Sequence, residues 1–477
     1  MELWELAVDD LRRGYGRKEY SPLEVVDELL ARIERLDPEL GAFRQVLAES
    51  ARWEAARMTE ESAGGRLRGP LHGIPVAIKE LIDVEGGLGC YGSQVFAGRV
   101  GARDSAAVER LRTAGAIVIG VTRSHEFGWG ITTMHSHLGN TRNPWNTDRV
   151  PGGSSGGSAA ALAAGMVPLA LGTDTGGSVR IPAAFCGVVG LKPTFGTISK
   201  RGVVPLAPSL DHVGPMARTT TDLLIALEVL AGYDSEDPTT GHRPLPDLST
   251  IVGDRLDGIR VGAAPSLHLT PLAADHDSIF TRALAVAAEA GAEIVEVDVP
   301  HAERIRPAFT ALQMAEAYHT HSVTLGTYPS RAADYGADVR GRLEAAAEVG
   351  IVDYLQAQAE AHRIRRRFED AFELVDVILT PVSAGPPSRA QDPDQTMHLG
   401  HPMPFRDLVM DYTVPQDITG LPACVVPAGL DTNGLPVGVQ TTAPARREDR
   451  ALQIASVLQQ RLQMHERWPA LTVRRSP

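Results

Sequence analysis

The chain has 477 residues, 43% of them hydrophobic and 22% charged, with a formal net charge of −13. This is the balance of a globular chain with a large core, and it excludes a nucleic-acid surface as the main business, because phosphate contacts need clustered Lys and Arg. No apolar run reaches bilayer length, and the opening MELWELAVDDLRRGYGRKEY lacks a signal peptide's apolar segment, so a cytoplasmic location away from membranes is expected.

In chain order, Ser21, Pro22 and Glu24 read as a helix start, with Ser21 as N-cap, Pro22 at the first helical position and Glu24 closing a capping box. Val25, Val26, Leu29, Leu30 and Ile33 then recur at helical spacing. Pro75-Val76-Ala77-Ile78-Lys79 reads as a buried strand with a lysine at its C-terminal edge, where sites open in α/β sheets. A helix is expected over 104–115, a strand over 116–121, a glycine-rich loop over 126–131 and a turn at Asn143-Pro144-Trp145-Asn146.

The stretch from Pro151 to Arg180 holds two glycine-flanked serine sites, Gly152-Gly153-Ser154-Ser155-Gly156-Gly157-Ser158 and Gly176-Gly177-Ser178. An Ala-rich helix and an apolar strand join them, which a flexible Gly/Ser linker would not contain. Beyond it, strands are expected near 187–191, 259–262, 293–299, 375–381, 423–427 and 437–442, and helices over 221–230 and up to about 290. Residues 303–372 read as mostly helical, and 383–404, rich in Pro, Asp and Ser, as a long surface loop. Strands alternating with helices indicate an α/β protein. The basic run Arg363 to Arg367 reads as a solvated helix face.

Ser178 is the nucleophile candidate, because the N–H groups of the preceding Asp174-Thr175-Gly176-Gly177 can turn toward one point and hold an oxyanion. A serine hydroxyl needs a base. His72, His125, His135 and His137 stand in ordinary contexts and read as solvated or structural. Basic residues are nearly all arginine, with lysine only at positions 18, 79, 192 and 200. A lysine kept in such a chain suits a group that must lose its proton, which points to Lys79, made neutral by burial.

At these residues the chain resembles the amidase signature family. The resemblance rests on Pro75 to Asp83, Gly152 to Ser158 and Leu171 to Thr194, and continues through Leu421-Pro422 and Gly434 to Gln440. It implies one domain over 1–477 with a large twisted mixed β-sheet flanked by helices on both faces. Within it fall N-terminal helices to about 65, a catalytic core to about 300, a helical cap-like region over 303–372 and C-terminal core strands and helix from 373. It also implies a triad of Lys79 as base, Ser154 as bridging serine on a cis peptide and Ser178 as nucleophile. The N–H groups of Thr175, Gly176, Gly177 and Ser178 would form the oxyanion hole. Ser155, Asp174 and Arg180 would support the site, and Gly128 would line the substrate pocket with Ser154. No metal or cofactor is implied, and the expected partner is a small amide-like substrate, with a homodimer left open.

The implied activity is hydrolysis of a carbon–nitrogen bond in an amide, aryl amide or hydrazide through an acyl-enzyme. Two alternatives stand beside it: the glutaminase subunit of a tRNA-dependent amidotransferase, and an inactive scaffold on the same fold. Ala315 to Gly350 looks more like free-standing amidases, and all three triad positions are present, which disfavours a scaffold. Gly153 to Gly157 also satisfies G-x-S-x-G with Ser155 at its centre, but the turn-like 144–151 replaces the strand such an elbow requires. No Gly-Lys-Ser/Thr follows the glycines, so a P-loop fails. Cys186 sits in an apolar setting and reads as inert, and Cys90 stands where the family resemblance leads one to expect threonine.

Overall fold

The structure is a computed structural model that describes residues 2–134, 138–251 and 253–473. Thirteen strands are used below: β1 (Phe43–Val46), β2 (Pro75–Lys79), β3 (Ile117–Thr122), β4 (Leu169–Asp174), β5 (Val189–Lys192), β6 (His212–Ala217), β7 (Arg260–Ala263), β8 (Glu293–Glu296), β9 (Val377–Pro381), β10 (Gln395–His398), β11 (His401–Pro404), β12 (Ala423–Leu430) and β13 (Pro436–Thr442). Among the described residues, eleven of them form one mixed sheet in the order β1-β3-β2-β4-β6-β5-β12-β13-β9-β7-β8, and β10 and β11 make a separate hairpin. The α/β class and the large mixed sheet expected from the sequence are present.

Strands β2 and β4, third and fourth along this sheet, carry the site. β2 runs parallel to β3 on one side and β4 on the other, and all three strands are buried along their whole length. Strands covered on both faces read as continuous apolar runs, which is why Pro75 to Ile78 and Leu169 to Leu171 were legible. β4 then pairs antiparallel with β6, a strand that sequence periodicity missed because Gly214 and Pro215 interrupt it.

The expected helix start at Ser21 is real. Its side chain accepts from the Glu24 N–H, Glu24 reaches back, and the helix Pro22–Leu40 buries Val25, Val26, Leu29, Leu30 and Ile33. The helix Gly156–Ala163 is buried on every side. Its second residue must be glycine, because a Cβ on Gly157 would lie 2.5 Å from the carbonyl oxygens of both Ala42 and Arg123. That close approach brings the first serine site against the sheet.

Other boundaries differ. The loop expected over 126–131 opens with a short 3-10 turn, Glu126–Gly128. The expected surface loop at 383–404 contains the β10/β11 hairpin, and the helix Phe405–Thr419 follows it. Pro415 inside that helix hides it from a propensity reading. The region 303–372 is helical as expected, with helices Ile305–His319, Ala337–Ala346 and Ile351–Phe372. Its basic run is only partly a solvated face, since Arg365 donates to the carbonyl of Thr419 and Ile364 is fully buried. Among the described residues no helix is long and apolar enough to cross a membrane.

Candidate active site

Lys79 ends β2 with no exposed surface, and its Nζ meets three hydroxyls: Ser154 Oγ at 2.6 Å, Thr173 Oγ1 at 2.8 Å and Ser155 Oγ at 2.9 Å. An ammonium can donate to all three, and a neutral amine can accept from one of them. Burial is the main influence on this group and pushes its pKa down to about 7, against the smaller pull of Asp174, Glu80 and Asp211. The peptide bond between Gly153 and Ser154 is cis. The Ser154 carbonyl accepts from the His125 N–H at 3.1 Å and from Thr133 Oγ1 at 3.3 Å. Ser155 is fixed from both sides, its N–H donating to the carbonyl of Ser178 at 3.1 Å and its hydroxyl to the carbonyl of Thr173 at 3.2 Å. That first bond joins the two glycine-flanked serine segments directly.

The loop from Thr175 to Val179 is shaped by one carboxylate. Asp174 accepts from the N–H groups of Gly177 at 2.7 Å, Val179 at 3.1 Å and Arg180 at 3.3 Å. Burial would raise this carboxyl, but the Arg180 guanidinium beside it holds it well below the usual carboxylate range. Arg180, itself fully buried, donates Nε to Asp174 at 3.0 Å and its other nitrogens to Asp417 at 2.7 Å, Gln416 at 2.8 Å and Gln440 at 3.1 Å. Gly177 holds φ at +113°, which L side chains rarely adopt.

Of the donors expected from the family resemblance, Gly177 gives its N–H to Asp174 in this structure. The N–H groups of Thr175, Gly176 and Ser178 are taken by no acceptor among the described residues.

Above the sheet, the helix Ile305–His319 spans the site. A Cβ on Gly176 would lie 2.9 Å from Phe309 Cζ and 3.6 Å from Met410 Cε, so both side chains rest against the loop that ends in Ser178. One turn further, Gln313 accepts from the indole N–H of Trp129 at 3.1 Å. Gly128, next to that tryptophan, stands close enough for a Cβ there to come within 3.5 Å of Ser154 Oγ. The structure thus brings Lys79, Ser154, Ser155, Asp174, Ser178, Arg180 and Gly128 into one neighbourhood.

The residues set aside in the sequence fall elsewhere. His72 is buried and bonds Ser62 Oγ at 2.8 Å, and His125 pairs with Asp338 at 3.1 Å, so both are structural. His135 and His137 lie outside the described residues. Cys186 is fully buried and burial pushes its thiol up. Ser155 is preceded by turns and begins a helix, with no strand running into it, which rules out the nucleophile elbow.

Two residues near the site went unread. Thr173 supplies the third hydroxyl to Lys79, and nothing in its sequence context marks it. Lys192 had a signal, being one of the few lysines. It is fully buried beside His212 Nε2 at 3.1 Å, and burial pushes it down to about 8.

A buried lysine bonded to paired serines thus lies beside a loop of free amide donors, at the C-terminal ends of β2 and β4. Comparison with known proteins gives the family. The family model for amidases matches residues 24–452, and the chain belongs to the amidase signature family. It is 38% identical over 498 aligned residues to a glutamyl-tRNA(Gln) amidotransferase subunit from Roseiflexus sp. (strain RS-1), covering 99% of both chains. Among solved structures it is similar to a chain described as part of a vestigial protein complex that reveals the evolutionary origins of an s-triazine catabolic enzyme (TM-score 0.89, 32% identity, 96% of this chain and 98% of that one). It is equally superposable on a bacterial aryl acylamidase of the amidase signature family (TM-score 0.89, 26% identity, 99% of each chain).

Proposed function

We propose that this chain hydrolyses the carbon–nitrogen bond of an amide-like substrate through an acyl-enzyme on Ser178. The observation that carries this reading is the fully buried Lys79, 2.6 Å from Ser154 Oγ and half-neutral near pH 7. Neutral Lys79 takes the Ser154 proton while Ser154 takes that of Ser178, and the Ser178 oxygen attacks the carbonyl. The oxyanion rests on the N–H groups of Thr175, Gly176 and Ser178. The proton then passes back to the leaving nitrogen, the carbon–nitrogen bond breaks, and water cleaves the ester by the same relay.

A second, finer reading is that the hydrolysis is the glutaminase half of a tRNA-dependent amidotransferase. The names of relatives such as the Roseiflexus protein favour it over a free-standing amidase, reversing the order taken from residues 315–350. Similarity to an aryl acylamidase supports the free-standing form. Both readings share one chemistry. Ser178→Ala and Lys79→Ala, each purified and checked for fold by circular dichroism, should lose hydrolysis of a panel of amides, glutamine included, and labelling by a fluorophosphonate. Full turnover by folded Ser178→Ala sinks the nucleophile assignment. Ammonia release from glutamine only alongside co-purifying proteins of such a complex would establish the second reading.

A further inference from the structure

Three buried polar side chains beside the Ser178 loop take no part in the proton relay: Asp211, His212 and Lys192. Asp211 precedes β6 and His212 opens it, opposite Asp174 at the end of β4. The Asp211 carboxylate is closed in by its own turn, accepting from the N–H groups of Leu206 at 2.9 Å and Ala207 at 3.1 Å. It also accepts from the hydroxyl of Thr175 at 2.6 Å.

His212 Nδ1 lies 2.7 Å from the carbonyl oxygen of Leu210 and 3.3 Å from that of Asp174. Both are acceptors, so the ring proton is assigned to Nδ1, and Nε2 is left to accept from Lys192 Nζ at 3.1 Å. Burial, reinforced by the charge of Lys192, holds the imidazole well below its usual pKa and keeps it neutral. The Asp417 carboxylate, 3.7 Å from Nδ1, stands outside hydrogen-bond reach.

The carbonyl of Asp174 and the N–H of Thr175 belong to one planar peptide unit and point in opposite directions. A ring that holds the carbonyl therefore sets the direction of the N–H, which is one of the three donors offered to the oxyanion. The Thr175 side chain springs from the far end of the same unit, and the bond to Asp211 fixes it there. Such donors stabilise a developing charge only when they are aimed in advance, and small misplacements are costly.

We propose that Asp211 and His212 are positioning residues of the oxyanion hole, which together hold the Asp174–Thr175 peptide so that the Thr175 N–H points at the reacting oxygen. The inference rests on the amidase reading and adds residues to that same site. A fluorophosphonate probe reports on the hole directly. Ser178 forms a bond to phosphorus, fluoride leaves, and the phosphoryl oxygen takes the place of the oxyanion.

In Thr175→Val and in His212→Leu, the labelling rate constant at saturating probe should fall roughly 10- to 100-fold, while the half-saturating concentration stays within about twofold. Thr175→Ser keeps the hydroxyl and should recover most of the loss seen in Thr175→Val. Asp211→Asn combined with Thr175→Val should be no slower than the slower single variant, because both changes cut one bond. Each variant is checked for fold by circular dichroism, and if those at 211 or 212 do not fold, the near-isosteric Thr175→Val and its Thr175→Ser partner decide. Labelling at the wild-type rate by folded Thr175→Val or folded His212→Leu overturns the positioning role and leaves the amidase reading standing. A loss seen only as weaker probe binding, or one that Thr175→Ser does not recover, does the same. Wild-type protein that neither labels nor hydrolyses any amide overturns the amidase reading, and the positioning role with it.

Discussion

Lys79 Nζ and Ser154 Oγ lie 2.6 Å apart although 75 positions separate them in the chain. The contact exists because β2 delivers the lysine at its end while the segment before the helix Gly156–Ala163 delivers the serine to the same edge. With burial holding Lys79 near 7, kcat/KM should rise with pH through about 7 and level off above 8. A profile flat from pH 5.5 to 8.5 would show that Lys79 is not the base.

The same shift predicts a stability trend. The folded group titrates near 7 and the unfolded one at its ordinary value of 10.5, so between those values the unfolded chain binds the extra proton and folding becomes more favourable as pH rises. This contribution is complete above 10.5 and lost as pH falls through 7. Urea unfolding at pH 6.5, 8 and 9.5 should show wild type gaining relative to Lys79→Ala, by a total on the order of a few kcal/mol across the window.

Arg180 is the sole cation bonded to both Asp174 and Asp417 among the described residues. Arg180→Met leaves two buried carboxylates facing each other and should cost about 3–5 kcal/mol, read as a lower urea midpoint. Asp174→Asn keeps shape but removes the charge that orders the Gly177 and Val179 amides, so its loss of activity should exceed its loss of stability.

Gly176→Ala places a methyl 2.9 Å from Phe309 Cζ. The ring must move or the loop must, and kcat should drop at least tenfold with the fold retained. Adding Phe309→Leu should restore much of the rate. A double variant no faster than Gly176→Ala would mean the methyl acts on the loop itself.

Cys90 Sγ donates to Glu80 Oε2 at 3.0 Å, and the same carboxylate accepts from Arg44 at 3.1 Å and from the Ser124 N–H at 2.8 Å. A threonine hydroxyl can replace the thiol donor, so Cys90→Thr should change stability by less than about 1 kcal/mol. Cys90→Val removes the donor and should cost more than Cys90→Thr, measured by thermal unfolding.

The candidate site was legible because its residues need unusual local settings. Glycine around Ser154 and Ser178 and the apolar run before Lys79 are visible in sequence, and the fully buried strands β2 and β4 follow from them. Strand β6 and the helix Phe405–Thr419 were not, because Gly214, Pro215 and Pro415 contradict local propensity and tertiary packing overrides it. The bond from the Gly177 N–H to Asp174 was not legible, since only the fold shows where Asp174 points.

The helix Ile305–His319 touches the Ser178 loop through Phe309 and the Trp129 segment through Gln313, yet it contributes none of the hydroxyls, amides or amine of the site. The groups proposed to break the bond and the helix that covers them therefore lie on different stretches of polypeptide. A new preference can be engineered by randomising Phe309, Gln313 and their neighbours on this one rod while the machinery beneath it is left untouched.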